Sequence, residues 1–317
     1  MQREIGVVMD PIGSIKIAKD STFAILLAAD RRQWRIQYME LSDLFLRHDR
    51  AWARMREVRV RDDARRWYRF CSEQTRPLDA LPVILMRKDP PFDMEYICAT
   101  YLLERAQARG VRVVNDPRGL RDANEKVFIL QFPHCCPPTL VTRRNADIAE
   151  FLARHTEIIL KPLDGMGGCS IFRLKTADTN FNVIVETLTD YGNRFCMAQK
   201  FIPEITDGDK RILLIDGDLV PYTLARIPKP GETRGNLAAG GTGVGQSLTE
   251  RDRWIASQVG PELRRRGILF AGLDVIGDYL TEINITSPTC IRELDARFGL
   301  DIAGDLMTKL EEYMDAD

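Results

Sequence analysis

Two segments of this chain carry side chains of the kinds that handle phosphate and divalent cations. In Ile158-Ile159-Leu160-Lys161-Pro162-Leu163-Asp164-Gly165-Met166-Gly167-Gly168-Cys169-Ser170 a lysine closes an apolar strand directly before a glycine-rich turn. Glycines let backbone N–H groups approach phosphate oxygens, and an ammonium adds charge without bulk. The spacing is neither a Walker A loop nor G-x-G-x-x-G, and taken alone it also describes an ordinary turn beside a surface lysine. The second segment places Asp274 in Gly272-Leu273-Asp274-Val275, ahead of Thr281-Glu282-Ile283-Asn284-Ile285-Thr286. In a strand Glu282 and Asn284 project to one face while Ile283 and Ile285 turn to the core. Two carboxylates and an amide oxygen are hard ligands of the type magnesium takes; the plainer alternative is the wet face of a half-buried strand. For Asp274 to join Glu282 the turn between them matters. A two-residue Gly277-Asp278 turn would pair Asp274 with Thr281 and send Glu282 to the other face. A three-residue loop or a bulge near Gly277 to Tyr279 is therefore predicted.

Groups like these need a scaffold that brings strand ends together. Ile5 to Met9 reads as a strand, Ser21 stands where it can cap a helix carrying Phe23, Leu26 and Leu27, and Trp34 to Met39 reads as a second strand. Val83 to Met86 and Val111 to Val114 follow as strands, and Met94, Ile97, Cys98, Tyr101 and Leu102 between them mark one face of a helix ending at Gly110. Strand and helix in alternation predict an α/β fold with a doubly wound, Rossmann-like parallel sheet at the N-terminus, where ligands collect at the carboxyl ends of strands. Two loops at such ends stand out, Asp10-Pro11 and Arg87-Lys88-Asp89-Pro90-Pro91-Phe92. A helix-forming segment at Asp122 to Phe132 leads into Pro133 and Pro137-Pro138, a boundary. Ile158 to Leu160, Met197 to Phe201 and Arg211 to Ile215 are further strands, and after a turn at Asp216-Gly217-Asp218 another reaches Ile227. Pro228 to Gly245 is glycine-rich, and Ile227 to Thr242 has neither helical nor strand period, so this loop is predicted to be a mobile lid. Ile302, Leu306, Leu310 and Tyr313 fall at helical spacing near the end of the chain.

Composition removes several function classes. The 45 basic and 46 acidic residues leave a net charge of -1, so no global field draws the protein to nucleic acid or an anionic membrane. The apolar run at the N-terminus is too short for a signal-peptide core, and no stretch approaches a membrane span. Seven cysteines without C-x-x-C spacing read as reduced cytoplasmic thiols. A nucleophilic Cys169 or Cys290 is the alternative, with only His48, His134 and His155 as partners and none at motif spacing. Residues 47 to 76 are dense in arginine, with Trp52, Trp67, Tyr68 and Phe70 interleaved. That mixture suits single-stranded nucleic acid, but Glu57, Asp62, Asp63 and Glu73 interrupt it, which favours a solvated or subunit-contacting face.

More residues make these patterns specific. Lys126, Lys161-Pro162 with its glycine-rich loop, Asp209-Lys210-Arg211, Arg226 and the set Asp274, Glu282 and Asn284 resemble the ATP-grasp superfamily. Within it, Met9-Asp10-Pro11, Met86-Arg87-Lys88-Asp89-Pro90-Pro91-Phe92, the run from Glu232 to Gly241 and the run from Glu282 to Cys290 are similar to the bacterial type of glutathione synthetase. The resemblance implies a pre-ATP-grasp, substrate-binding domain at residues 1–123, a central lid subdomain at 124–200, and a C-terminal ATP-grasp domain at 201–317 with the metal site and the flexible loop 227–242. It implies that Lys126, Lys161 and Arg211 hold ATP phosphates over Gly165, Gly167 and Gly168, that Gln199, Lys200, Phe201 and Ile202 line the adenine pocket, and that Asp209 meets the ribose. Asp274, Glu282 and Asn284 would hold magnesium, with manganese as the alternative. Arg211, Arg226 and Arg234 would act on the reacting groups. Asp10, Arg87, Lys88, Asp89, Arg226, Arg234, Ser287, Pro288 and Thr289 would contact substrate. The implied small-molecule partners are ATP, γ-glutamylcysteine and glycine, and the implied assembly is a cytoplasmic homotetramer.

The chemistry implied is an activation followed by a displacement. The cysteinyl carboxylate of γ-glutamylcysteine attacks the γ-phosphorus of ATP, and the amine of glycine then expels phosphate from the acyl phosphate. This work is positioning and electrostatics, so no side-chain nucleophile is required. Another ATP-grasp ligase, adding glutamate to a peptide or carrier protein, is the nearest competing reading, and an ATP-binding module without catalysis is a more distant one. Ser287-Pro288-Thr289-Cys290 and the Arg87 to Pro91 loop favour the first reading over the second, and the full metal set with both lysines weighs against the third.

Overall fold

A computed structural model describes residues 3–165, 167–232, 234, 235, 237 and 240–315. At its N-terminus β1 (Glu4–Val8) is almost wholly buried, as a strand covered on both faces must be. Asp20 rather than Ser21 caps α1 (Ser21–Arg31), its carboxylate accepting the Phe23 N–H at 2.6 Å. There follow β2 (Arg35–Met39), β3 (Leu44–Arg47), β4 (Arg50–Val60), β5 (Tyr68–Pro77), β6 (Val83–Met86), α2 (Met94–Gln107), β7 (Arg112–Val114) and α3 (Pro117–Asp122). The parallel sheet expected here is present as the order β2-β1-β6-β7, but it continues beyond β2 into three antiparallel strands. The arginine-rich stretch forms those strands because its charges alternate with small apolar residues. Ala51, Ala53 and Met55 are buried on one face of β4 while Trp52, Arg54 and Arg56 lie on the other.

The helix expected at Asp122 to Phe132 does not form. α3 stops at Asp122, and the Asn124 side chain accepts the N–H groups of Lys126 and Val127 at 3.1 and 3.0 Å. Such a local side-chain bond competes with helix hydrogen bonding, and only a 3-10 turn, Phe128–Gln131, follows. The middle of the chain comprises β8 (Thr139–Thr142), α4 (Asn145–His155), β9 (Glu157–Pro162), β10 (Phe172–Lys175), α5 (Phe181–Thr189) and β11 (Cys196–Lys200). Its strands pair antiparallel in the order β10-β9-β11-β8.

The last part comprises β12 (Asp209–Ile215), β13 (Asp218–Ile227), β14 (Thr242–Ser247), α6 (Glu250–Arg265), β15 (Phe270–Ile276), β16 (Tyr279–Asn284), α7 (Ile291–Phe298) and α8 (Ile302–Asp315). Its sheet is antiparallel throughout, ordered β14-β13-β12-β15-β16. The glycine-rich stretch is shorter than expected, because residues 242–245 pair with β13 as part of β14. Met166, Thr233, Asn236, Ala238 and Ala239 lie outside the described residues, and the expected lid falls partly on the last four.

Three apolar clusters fill the interior. Two of them are shared by the first and last parts: one joins Ile84 and Leu103 to Ile255 and Leu273, the other joins Val7 and Phe23 to Leu213 and Leu306. The third, with Ile148, Leu160, Leu174, Val185 and Ala198, belongs to the middle part alone.

Candidate active site

One face of the C-terminal sheet gathers the charges. Across neighbouring strands Leu224, Arg211, Asp274 and Glu282 lie in register, and Arg226 opposes Asp209 one step along. Directly opposed residues share a face, so these side chains project together. Lys210, between Asp209 and Arg211, points to the other face and pairs with the buried Asp252 of α6. Asp274 reaches Glu282 by an irregularity in the last hairpin. The turn itself is the tight one, with Ile276 opposite Tyr279, and the register then shifts so that Val275 opposes Leu280 and Asp274 opposes Glu282. Thr281 is the extra residue. The expected irregularity is therefore present as a bulge at Thr281, not within Gly277 to Tyr279, and the Thr281 hydroxyl donates to the Asp274 carbonyl at 3.1 Å.

Asp274 is nearly inaccessible and lies between two arginines. Its Oδ1 accepts Arg211 Nε at 2.6 Å, and its Oδ2 accepts Arg211 Nη2 at 3.1 Å and lies 2.9 Å from Arg226 Nη2. Burial opposes its charge, but the two guanidiniums outweigh that and hold the carboxyl well below its ordinary range. Arg226 also binds Asp209 Oδ2, while Asp209 Oδ1 is buried without a hydrogen-bond partner. Gly272 allows this packing, since a Cβ there would meet Arg211 Cδ at 2.8 Å and Pro288 Cβ at 3.1 Å.

The middle sheet supplies Lys161 from the other side, and the segment after α3 supplies Lys126. Lys161, at the end of β9, donates to Glu282 Oε1 at 3.3 Å, and Lys126 lies 3.9 Å from the same oxygen while donating to the Gly165 carbonyl at 2.7 Å. Burial works against the Lys126 ammonium, but Glu282 and Glu125 outweigh it and keep it protonated. The glycine-rich turn beside Lys161 needs its glycines, because Gly167 and Gly168 have φ of 67° and 79°. Arg234 approaches this turn, its Nη1 lying 3.5 Å from the Gly168 carbonyl.

Asp209, Arg211, Arg226, Asp274, Glu282, Lys126, Lys161, Arg234 and the glycine-rich turn line one cavity between the two sheets. Of the residues assigned from sequence to nucleotide, metal, catalysis or substrate, every one lines it except Asp10, Arg87 and Lys88. Those three stand behind the wall. Arg87 is buried, donating to Thr22 Oγ1 at 3.1 Å and to the Pro288 carbonyl at 3.0 Å. Lys88 pairs with Asp10 at 2.9 Å, and Asp10 accepts the Asp89 N–H at 2.8 Å. Asp89 in turn accepts the Ser287 hydroxyl. The N-terminal loop therefore braces the 287–289 loop, and only Asp89 of the four reaches the cavity. Sequence reasoning missed Glu125, which lines the cavity and pairs with Lys126. Its position next to that lysine was the available signal. Among the described residues no histidine lines the cavity, and Cys290 is buried with its thiol pushed up by desolvation, so neither cysteine reading gains a catalytic partner.

The donor set suits a hard divalent cation. Asp274, Glu282 and Asn284 present only oxygens, plus an amide whose nitrogen is directed to the Gly272 carbonyl at 3.4 Å. A carboxylate offers about four lone-pair positions, and Asp274 uses three of them on guanidiniums, which leaves room for a metal contact beside Glu282.

The architecture is shared with solved structures. D-cycloserine synthetase DcsG superposes with a TM-score of 0.68 at 14% identity, covering 98% of this chain and 99% of its own. The ATP-grasp ligase PsnB complexed with minimal precursor, Mg and ADP gives 0.62 at 16%, covering 98% of each chain. The fold is thus that of an ATP-grasp protein. Residues 4–121 and 125–299 match the N-terminal and ATP-grasp domains of prokaryotic glutathione synthetase, and the chain belongs to that family. A glutathione synthetase of Pseudomonas putida is 60% identical over 316 residues, the full length of both chains. One from Escherichia coli is 57% identical over 308 residues, 97% of this chain and 98% of its own.

Proposed function

We propose that this chain is an ATP-dependent ligase that joins γ-glutamylcysteine to glycine and releases ADP and phosphate. The observation that carries the reading is the single cavity in which Lys126 and Lys161 face Glu282 while Arg211 and Arg226 flank Asp274. Lys126, Lys161 and Arg211 bind the ATP phosphates over the glycine-rich turn. Gln199 to Ile202 line the adenine pocket, and the unpartnered Oδ1 of Asp209 takes the ribose. Asp274, Glu282 and Asn284 would hold magnesium, or manganese, which when bound screens the phosphate charge. Arg226 and Arg234 steady the peptide carboxylate and the transferring phosphoryl group, which is catalysis by preorganised charge. Ser287 to Thr289, braced by Asp89, supply hydroxyls and N–H groups for an acceptor carboxylate. In this reading residues 1–123 bind substrate, 124–200 cover the nucleotide, and 201–317 hold the metal, with the loop 227–242 excluding water from the acyl phosphate. The enzyme works as a cytoplasmic homotetramer; among the described residues no helix is long and apolar enough to cross a membrane.

The test is a product balance. With ATP, magnesium, γ-glutamylcysteine and glycine, ADP, phosphate and tripeptide should form in equal amounts, as measured by mass spectrometry and phosphate release. AMP and pyrophosphate in their place would exclude the acyl-phosphate route, and tripeptide formation with other acceptors alone would exclude glycine as the substrate.

A further inference from the structure

One row of side chains crosses the middle sheet on the face turned to the cavity. Thr139 of β8 opposes Gln199 of β11, and Gln199 opposes Ile159 of β9. Directly opposed residues share a face; Ile159 and Gln199 both line the cavity, and Thr139 stands just outside it. Two hydrogen bonds run through this row in one direction. The Thr139 hydroxyl donates to the Pro137 carbonyl at 2.8 Å and accepts the Gln199 side-chain N–H at 3.1 Å. A hydroxyl has a single proton to give, and a carbonyl can only accept. With that proton committed to Pro137, Thr139 can meet Gln199 only as an acceptor, so the amide nitrogen is the end turned toward β8. Turning the amide over would set two oxygens against each other or strip Pro137 of its donor. Gln199 Oε1 is thereby left for the cavity: it receives no hydrogen bond among the described residues and is not sealed from solvent. Gln199 is only 4% exposed, so this oxygen is a fixed acceptor in a wall with little access to water.

We infer that Thr139 is a positioning residue for base choice: by fixing the Gln199 amide it presents an acceptor to a purine with a 6-amino group and turns away one with a 6-oxo group. The inference rests on the nucleotide reading proposed above, in which Gln199 to Ile202 line the base pocket. Ile159, Phe201 and Ile202, which line the cavity beside Gln199, shape the slot but carry no polar side-chain atom that could make the choice. The exocyclic amine of adenine donates to Oε1. The exocyclic carbonyl of a 6-oxo purine would oppose it and leave two acceptors unpaired, which costs more than the hydrogen bond contributes. A glutamine free to turn could offer its nitrogen to the one base and its oxygen to the other. The bond to Thr139 removes that freedom, so selectivity is set one residue behind the contact.

Calorimetric titration with ATP and with inosine triphosphate, both with magnesium and without peptide or glycine, separates base choice from turnover, and circular dichroism verifies folding. The wild type should bind ATP at least about 10-fold more tightly than the 6-oxo nucleotide. Thr139→Val removes the hydroxyl and frees the amide, so the preference should shrink to about 2-fold, chiefly because the 6-oxo nucleotide binds better. Thr139→Ser should keep the wild-type ratio, and Thr139→Ala replaces the valine variant if that one does not fold. Gln199→Met keeps the length and removes the acceptor; it should weaken ATP about 10-fold and leave the 6-oxo nucleotide nearly unchanged. No saturable ATP binding by the wild type would overturn the nucleotide reading itself. A wild type that does not discriminate, loss of the hydroxyl weakening both nucleotides equally, or a Gln199→Met protein with the wild-type ratio would overturn the inference and leave that reading standing.

Discussion

Arginines concentrate in two sheets of this protein, and their surroundings give them opposite characters. In the C-terminal sheet Arg211 and Arg226 are buried and locked onto Asp209 and Asp274. In the N-terminal sheet Arg47 and Arg54 are exposed and rest on aromatic rings, Arg54 over Phe45 at 5.6 Å and Arg47 over Trp52 at 4.9 Å. The residue type is the same, but removal from water converts a solvated charge into a fixed field. A buried guanidinium must be matched by acceptors or it destabilises the fold, whereas a surface one contributes little.

The sharpest way to break the comparison is the same substitution at both places. Arg226→Ala strips a shared cation from two buried carboxylates, and urea denaturation should show a loss of about 3–5 kcal/mol, with tripeptide synthesis falling at least 100-fold. A loss below about 1 kcal/mol would mean that Arg211 alone can hold the pair. An intermediate case is Asp295 on α7, a half-buried carboxylate that accepts the Ile302 N–H at 3.1 Å but has no ion pair among the described residues. Burial, reinforced by Asp301 and Asp305, pushes its carboxyl up to about 6. The folded state then binds the extra proton between about pH 4 and 6, so this group's contribution to stability declines as pH rises through that window. Asp295→Asn should keep the hydrogen bond, remove that decline and stabilise the protein at pH 7.5 by about 0.5–1 kcal/mol after solvent screening. An unchanged profile by thermal melts at pH 4, 6 and 7.5 would show that the carboxyl is already compensated. The smallest effect belongs to Arg54→Ala, which should alter stability by less than about 0.5 kcal/mol and leave activity intact; a larger loss would give the outer face a structural role.

The same contrast explains what the sequence made legible. Lys161 before its glycines, and Asp274 with Glu282 and Asn284, could be read because their chemistry is unusual at strand ends. The bulge that unites them was foreseen from face arithmetic, but its position at Thr281 was not, because register depends on how β15 pairs with β12 as well as on the turn. The antiparallel strands at 44–77 were missed because the density of arginines and aromatics was read as a surface patch, although Ala51, Ala53 and Met55 alternate with the charges along β4. The helix drawn through Asp122 to Phe132 failed on two side-chain bonds at Asn124. Asp10, Arg87 and Lys88 were read as substrate contacts from their loops, but only the packed structure distinguishes a residue that lines the cavity from one that braces its neighbour.

The division of the interior has a thermodynamic consequence. Because β8 to β11 enclose a core of their own while the first and last parts share theirs, the middle region is a separate cooperative unit that can open without dissolving the rest. Lys161 stands on that unit, and Glu282 stands on the other. In the function proposed above Lys161 takes the nucleotide and Glu282 the metal bound to it, a clasp across two units that would make the free energy of opening the middle region rise with the logarithm of nucleotide concentration.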